Sequence, residues 1–169
     1  MHKVKTLFNF LPYVKSIYPL TKKFKFYNLK DFNETFNENS NWPGYRTQDL
    51  HEYCPFLYIH ILTLLQQSIK VKFTSYKQIN MYAHLRFQED ESKDWIHVDP
   101  TDTAILYISN TNFNSGTDFY DDQRNTIASI KFIQGSCIFF EGGINHRSIG
   151  NHGNNIEDGR MTINVFMHK

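Results

Sequence analysis

The rhythm of apolar and polar positions changes once along this chain. Residues 54–69 read CPFLYIHILTLLQQSI, apolar at almost every step. Phe56, Ile59, Leu62 (or Thr63) and Gln66 mark one helical stripe, and Leu57, Ile61, Leu64 and Leu65 widen it. Pro55 suits a first helical turn, where its missing N–H is no loss. The spacing predicts a helix over 54–69, buried nearly all round and packed across a sheet face. His60 within it reads as a satisfied, partly buried histidine.

Beyond residue 70 short β-like runs take over, at 71–76, 78–87, 103–109, 117–120, 127–133, 136–140 and 161–167. Asn, Gly, Asp and Ser clusters separate them, and no helical crossover intervenes. An antiparallel sandwich or barrel is therefore expected, not a parallel α/β sheet. Before the helix, FKFYNL at 24–29 alternates loosely and reads as a first strand. Residues 31–49 are rich in Asn, Asp, Glu, Pro and Gly and read as loop, with a Pro-Gly turn in WPGYR at 42–46. The expected class is α+β, mainly β: a jelly roll with N-terminal helices packed on one sheet. It is read as a single domain over 1–169, with 1–70 a helical or irregular support and 71–169 the jelly-roll core.

Composition supports a packed core. Of 169 residues, 40% are hydrophobic, and 15 Phe and 10 Tyr suit sheets better than helices. The net charge of +1 sets up no global field that demands nucleic acid. The charge is uneven: residues 1–30 hold seven Lys and no acid. That start reads as a solvated face, with a docking surface for an anion as the sharper alternative. Two cysteines, Cys54 and Cys137, form no C-x-x-C, so a cytoplasmic protein without a disulfide framework is expected. No apolar run reaches membrane-spanning length and no signal-peptide pattern opens the chain. Asn, at 16 copies beside many Lys and Ile, hints at an AT-rich genome.

The chemistry begins at IHVDP. His97 and Asp99 are two apart, so on a strand they share a face and offer one neutral nitrogen and one anionic oxygen to a common point. Such a pair suits a divalent metal that a third ligand would complete. Alone it is weak: eight His and ten Asp in 169 residues give about half an H-x-D by chance. Further along, GSCIFFEGGINH at 135–146 runs turn, apolar strand, Gly-Gly turn, then His146. Fourteen residues later RMTINVF alternates: Met161, Ile163 and Val165 share one face, Arg160, Thr162 and Asn164 the other. An Arg facing a barrel interior is costly unless an anion meets it.

H-x-D, a distal His and R-x-T on the next strand, in that order, resemble the Fe(II)/2-oxoglutarate-dependent oxygenases. The likeness covers about residues 80–169. HVDP, AILYIS and SGTDFY look most like the prolyl-hydroxylase-like branch and its small phage-encoded members, and WPGYR resembles the phage group. The resemblance implies that His97, Asp99 and His146 bind Fe(II) and that Arg160 grips the distal carboxylate of 2-oxoglutarate. Its planar fork suits bidentate binding. Thr162 matches the hydroxyl partner of that Arg, Tyr107 a tyrosine bonding the same carboxylate, and Tyr82 a residue of the co-substrate pocket. The implied reaction uses O2, converts 2-oxoglutarate to succinate and CO2, and hydroxylates a substrate. The resemblance favours a prolyl or other protein residue, with ascorbate as an accessory. Asp99 argues against halogenation, because related halogenases lack that carboxylate.

Two departures stand out. The interval from His146 to Arg160 is long, which makes His152 a rival third ligand. His146 is preferred because His152 sits among Gly and Asn in a loop. Ser-Gly-Thr at 115–117 stands where Gly-Gly is commoner, a change expected to matter little. Loops 88–94 and 149–159 are expected to rim the pocket. Other readings are a nucleobase-modifying oxygenase, supported only by the Lys-rich start, a non-catalytic cupin-like metal binder, and a structural virion β-sandwich. A phage-encoded enzyme would work in the host cytoplasm.

Overall fold

The computed structural model describes residues 4–70 and 72–169. In chain order the elements are β1 (Val4–Leu7), α1 (Val14–Thr21), β2 (Tyr27–Asn28), α2 (Leu29–Phe36), β3 (Tyr45–Arg46), α3 (Leu50–Tyr53) and α4 (Pro55–Ile69). Then come β4 (Gln78–Arg86), β5 (His97–Val98), β6 (Asp102–Tyr107), β7 (Asn112–Tyr120), β8 (Thr126–Phe132), β9 (Cys137–Phe140), β10 (Asn145–Ile149) and β11 (Arg160–His168). A seven-stranded sheet runs β1-β9-β6-β11-β4-β3-β2 and faces a four-stranded sheet, β5-β10-β7-β8. The ladders are antiparallel, as the lack of helical crossovers implies.

Strand alternation builds two cores on the two faces of the large sheet. Met81, Ala83, Leu85, Met161, Ile163 and Val165 point outward and bury against α1 and α4. Ile105, Tyr107, Ile138 and Phe140 point inward and meet Phe119 and Phe132 of the small sheet. β6 is covered on both sides and is buried at all six positions.

The helix expected at 54–69 is α4, but its burial is one-sided. Ile61 and Leu65 are fully buried, Leu57 packs beside them, and Phe56 remains 87% exposed. The stripe through Phe56 and Ile59 therefore faces solvent, and His60 is exposed. A single helical layer over a sheet has only one side to bury. Of the expected strand 24–29 only β2 forms, because Asn28 then caps a helix: its Oδ1 accepts the Asp31 N–H at 2.9 Å. That helix, α2, begins at Leu29 and runs into the stretch read as loop. Leu29, Phe32 and Phe36 give it an apolar face beside Trp42 and Tyr82.

The run at 71–76 is no strand: Phe73–Ser75 is one 3-10 turn, and residue 71 lies outside the described residues. Besides the two-residue β3 and β5, two longer strands escaped the sequence pattern. β1 pairs with β9, with Val4 reaching the inter-sheet core and Leu7 the outer one. β10 carries His146. The first 70 residues thus contribute three strands to the large sheet as well as helices. None of the helices is long and apolar enough to cross a membrane.

Candidate metal and co-substrate site

The site lies between the sheets and starts from one cross-strand pair. β5 and β10 pair His97 opposite His146, which brings their rings to 4.4 Å between centroids. Asp99 follows two residues after His97, and its Oδ2 lies 3.4 Å from His146 Nε2. One ligand atom from each of His97, Asp99 and His146 falls within 4.8 Å of the others. Both imidazoles are oriented through the nitrogen that does not face the group. His97 Nδ1 meets Trp95 O and His146 Nδ1 meets Ile144 O, each at 3.0 Å. A carbonyl behind a ring is the usual way a metal-binding histidine is held in one tautomer. Thr103 Oγ1 donates to Asp99 Oδ2 at 3.2 Å and steadies the carboxylate.

The electrostatics suit a cation. Burial, then the neighbouring His146, hold His97 below the usual imidazole range, so its ring is neutral and ready to ligate. Burial pushes the Asp99 carboxyl up, but His146, His97 and the Thr103 hydroxyl outweigh it and hold it low. Two imidazoles and one carboxylate are the donor set of a facial triad, which suits Fe(II). His152 is outside this group; its ring stands edge-on to Phe132 at 6.1 Å.

Arg160 opens β11 on the inner face and is 3% exposed. Its Nη2 donates to Gly116 O at 3.1 Å and its Nε has no partner. The guanidinium lies 5.3 Å over Phe132 and 5.8 Å over Tyr107. Among the described residues no carboxylate pairs with it. Burial, and Arg86 nearby, lower it to about 10, so it stays charged. Arg160 and Tyr107 are not part of the lining of the triad's cavity, but Thr117, next along β7 from the Gly116 that Arg160 holds, is. A buried cation without a carboxylate partner there fits an incoming carboxylate. Tyr107 donates to or accepts from Thr117 Oγ1 at 2.8 Å, and burial raises its hydroxyl to about 12. Thr162 shares Arg160's strand face, but its hydroxyl donates to Asn164 Oδ1 at 2.8 Å rather than meeting the guanidinium.

Tyr82 also faces inward, yet it packs in the aromatic cluster with Phe32 and Trp42 and is not part of the lining of the metal-bearing cavity. The Ser-Gly-Thr departure matters more than its sequence suggests. Gly116 supplies the carbonyl for Arg160, and a Cβ there would fall 2.1 Å from Ile130 O. Thr117 lines the cavity and holds Tyr107.

The cavity around the triad, about 280 Å³, contains residues that sequence reading missed. Trp42 and Arg46 of WPGYR line it together with His84 and Arg86 of the neighbouring strand β4. Arg86 pairs with Asp94 and donates to Ser148 Oγ at 2.6 Å. The signal was present in QINMYAHLR. Tyr82, His84 and Arg86 alternate with Met81, Ala83 and Leu85, so the polar side of a buried strand had to face something polar. The two rim segments are tied together: Glu91 accepts the N–H groups of Gly150 and Asn151 at 3.3 and 2.8 Å.

Fold and site together define a double-stranded β-helix with a His/Asp/His group between its sheets. Its overall structure is similar to that of a Pseudomonas putida prolyl-4-hydroxylase, with TM-score 0.59 and 10% identity over all of this chain and 94% of that one. A prolyl hydroxylase from Trichoplax adhaerens, in complex with a hypoxia-inducible-factor peptide, has TM-score 0.59 and 12% identity over 98% and 83% of the chains. The non-heme α-ketoglutarate-dependent epimerase SnoN of nogalamycin biosynthesis has TM-score 0.62 and 13% identity over 99% and 78%. No protein-family model and no curated protein sequence matches the chain. The chain shares its fold with these two prolyl hydroxylases and with the α-ketoglutarate-dependent epimerase.

Proposed function

We propose that this protein is an Fe(II)- and 2-oxoglutarate-dependent dioxygenase that hydroxylates a prolyl or other residue of a peptide. The observation that carries the reading is the His97/Asp99/His146 group together with a buried, carboxylate-free Arg160 that reaches across the same two sheets to Gly116, inside a fold shared with such enzymes. A cupin-like metal binder or a structural sandwich has no use for that guanidinium.

His97, Asp99 and His146 would hold Fe(II), which, with 2-oxoglutarate and O2, supplies the oxidising chemistry. The chain supplies geometry. Trp95 and Ile144 carbonyls fix the two imidazoles, and Thr103 fixes the carboxylate. Arg160, which lies over the Tyr107 and Phe132 rings, would receive the distal carboxylate of the co-substrate, and the low polarity there strengthens the ion pair. Thr117 holds the Tyr107 hydroxyl in place. The substrate enters past Trp42 and Trp95.

The runner-up, a nucleobase substrate, drew on the Lys-rich start. Lys15, Lys22 and Lys23 lie on or just after α1, which packs on the outer face of the large sheet, away from the pocket. Succinate formation from 2-oxoglutarate with Fe(II) under air tests the activity. It is expected in the wild type and absent in Asp99→Ala. A wild type that binds neither metal nor 2-oxoglutarate overturns the reading.

A further inference from the structure

WPGYR is the motif whose role the chemistry above leaves open, and the fold gives it a definite place. Gly44, at φ +81°, makes the bend that sets the segment against β4; a Cβ there would fall 2.6 Å from Leu85 O. β3 then pairs Arg46 directly across from His84. The Arg46 guanidinium is boxed by three rings, at 4.1 Å from Phe32, 4.4 Å from Tyr82 and 4.6 Å from Trp42. Its Nη2 is used by Glu38 at 3.2 Å and by Ser40 at 3.1 Å. Its Nε has no partner, and neither does Trp42 Nε1 or either nitrogen of His84. Trp42, Arg46 and His84 line the same cavity as the triad, and His84 is 5% exposed. Burial, then Arg46, Arg86 and Arg160, hold His84 far below the usual imidazole range, so the ring is neutral, with one donor and one acceptor. Buried polar groups are rarely left without partners. Here four such atoms belong to three residues that line one small space.

The charge balance decides what kind of group fits. Glu38 faces Arg46 and Asp94 faces Arg86. In the proposed co-substrate complex, on which this inference rests, the distal carboxylate of 2-oxoglutarate meets Arg160. No guanidinium is left over for a second anion. A neutral group with both an acceptor oxygen and an N–H fits the unmet atoms. The adjoining cleft, about 230 Å³, shares Ser40, Arg46, Asp99 and Phe166 with the cavity and carries Glu38 on its wall, which disfavours a phosphate backbone.

We propose that Trp42, Arg46 and His84 form the substrate-recognition wall and that they bind a main-chain amide of a peptide next to the residue being oxidised. Trp42 and Arg46 donate to its carbonyl oxygen. His84 offers the complementary donor or acceptor.

The test uses the full chain loaded with Zn(II), a diamagnetic stand-in for Fe(II), and first titrated with 2-oxoglutarate. Co-substrate affinity is read in that step, so its failure is seen separately from failure of the wall. With 2-oxoglutarate saturating, N-acetyl-L-proline N-methylamide is added while the indole ¹⁵N–¹H signals of the two tryptophans are followed, assigned with Trp42→Phe. The Trp42 signal is expected to shift saturably with the capped amide and not with acetate or thymidine monophosphate at equal concentration. Arg46→Gln is expected to weaken the amide by about tenfold or more while moving 2-oxoglutarate affinity by less than about twofold. Trp42→Phe, which keeps a ring in the box, is expected to weaken the amide, read from the shift in thermal midpoint it produces. The proposal is overturned if the amide gives no saturable shift, or if acetate or the nucleotide gives the tighter one. It is also overturned if Arg46→Gln weakens 2-oxoglutarate as strongly as Arg160→Ala does.

Discussion

Replacing Arg160 by Met separates the two costs that its burial combines. The side chain is 3% exposed, and burial lowers the guanidinium from its ordinary value to about 10. That corresponds to roughly 3 kcal/mol against the charged form in the folded state. Against it stand one hydrogen bond to Gly116 O and contact with the Tyr107 and Phe132 rings, worth about 1–2 kcal/mol together. Met fills similar volume without the charge. The metal-free variant is therefore expected to match the wild type or exceed it by about 1–2 kcal/mol in urea denaturation. Co-substrate binding moves the other way. Removing the cationic partner of a buried carboxylate costs about 3–5 kcal/mol, on the order of a hundredfold to a few thousandfold in Kd. Anaerobic calorimetry of the Mn(II)-loaded protein reads that loss. An unchanged 2-oxoglutarate affinity would remove Arg160 from the co-substrate site, and a variant destabilised by several kcal/mol would make it structural.

Three further outcomes follow from the same geometry. His97→Ala and His146→Ala are expected to abolish stoichiometric metal binding by elemental analysis, while His152→Ala keeps it; the reverse result for His146 and His152 would exchange their roles. In metal-free protein, an unfolded histidine takes up a proton below about pH 6.5, whereas His84, held well below that, does not. Stability should therefore fall as pH drops from about 6.5 toward the native value of His84, by up to about 1.4 kcal/mol per pH unit for this group. His84→Leu should flatten that slope by one proton, and an unaltered slope in urea titrations would mean that His84 is protonated in the native state. Glu91→Ala releases the two backbone N–H groups that join the rim segments and is expected to cost on the order of 1–2 kcal/mol. Faster amide exchange confined to residues 149–153 would show it, and unchanged exchange there would refute the tie.

Much of the fold could be read locally. Short β-like runs between turn clusters marked β4, β6, β8, β9 and β11, and in β11 period-two alternation sorted the side chains by face. α4 was legible for its length and apolarity, but not for which side it buries. That depends on there being only one sheet face to cover, which leaves Phe56 in water. α2 hid in a polar stretch because its cap and three aliphatic or aromatic positions outweigh composition. β1 hid among lysines because its strand character comes from the edge of β9.

For the site, the chain alone determined whatever separation along a strand settles. His97 and Asp99 share a face two residues apart, and Arg160 shares one with Thr162. It did not determine who stands opposite. The β5–β10 register placed His146 against His97, and the β3–β4 register placed Arg46 against His84. Register is set by packing across the whole sheet, so partners far apart in sequence become neighbours only when the two sheets close. The same closure removes water, and that is why Arg160, His84 and Asp99 acquire properties that none of them has in an extended chain.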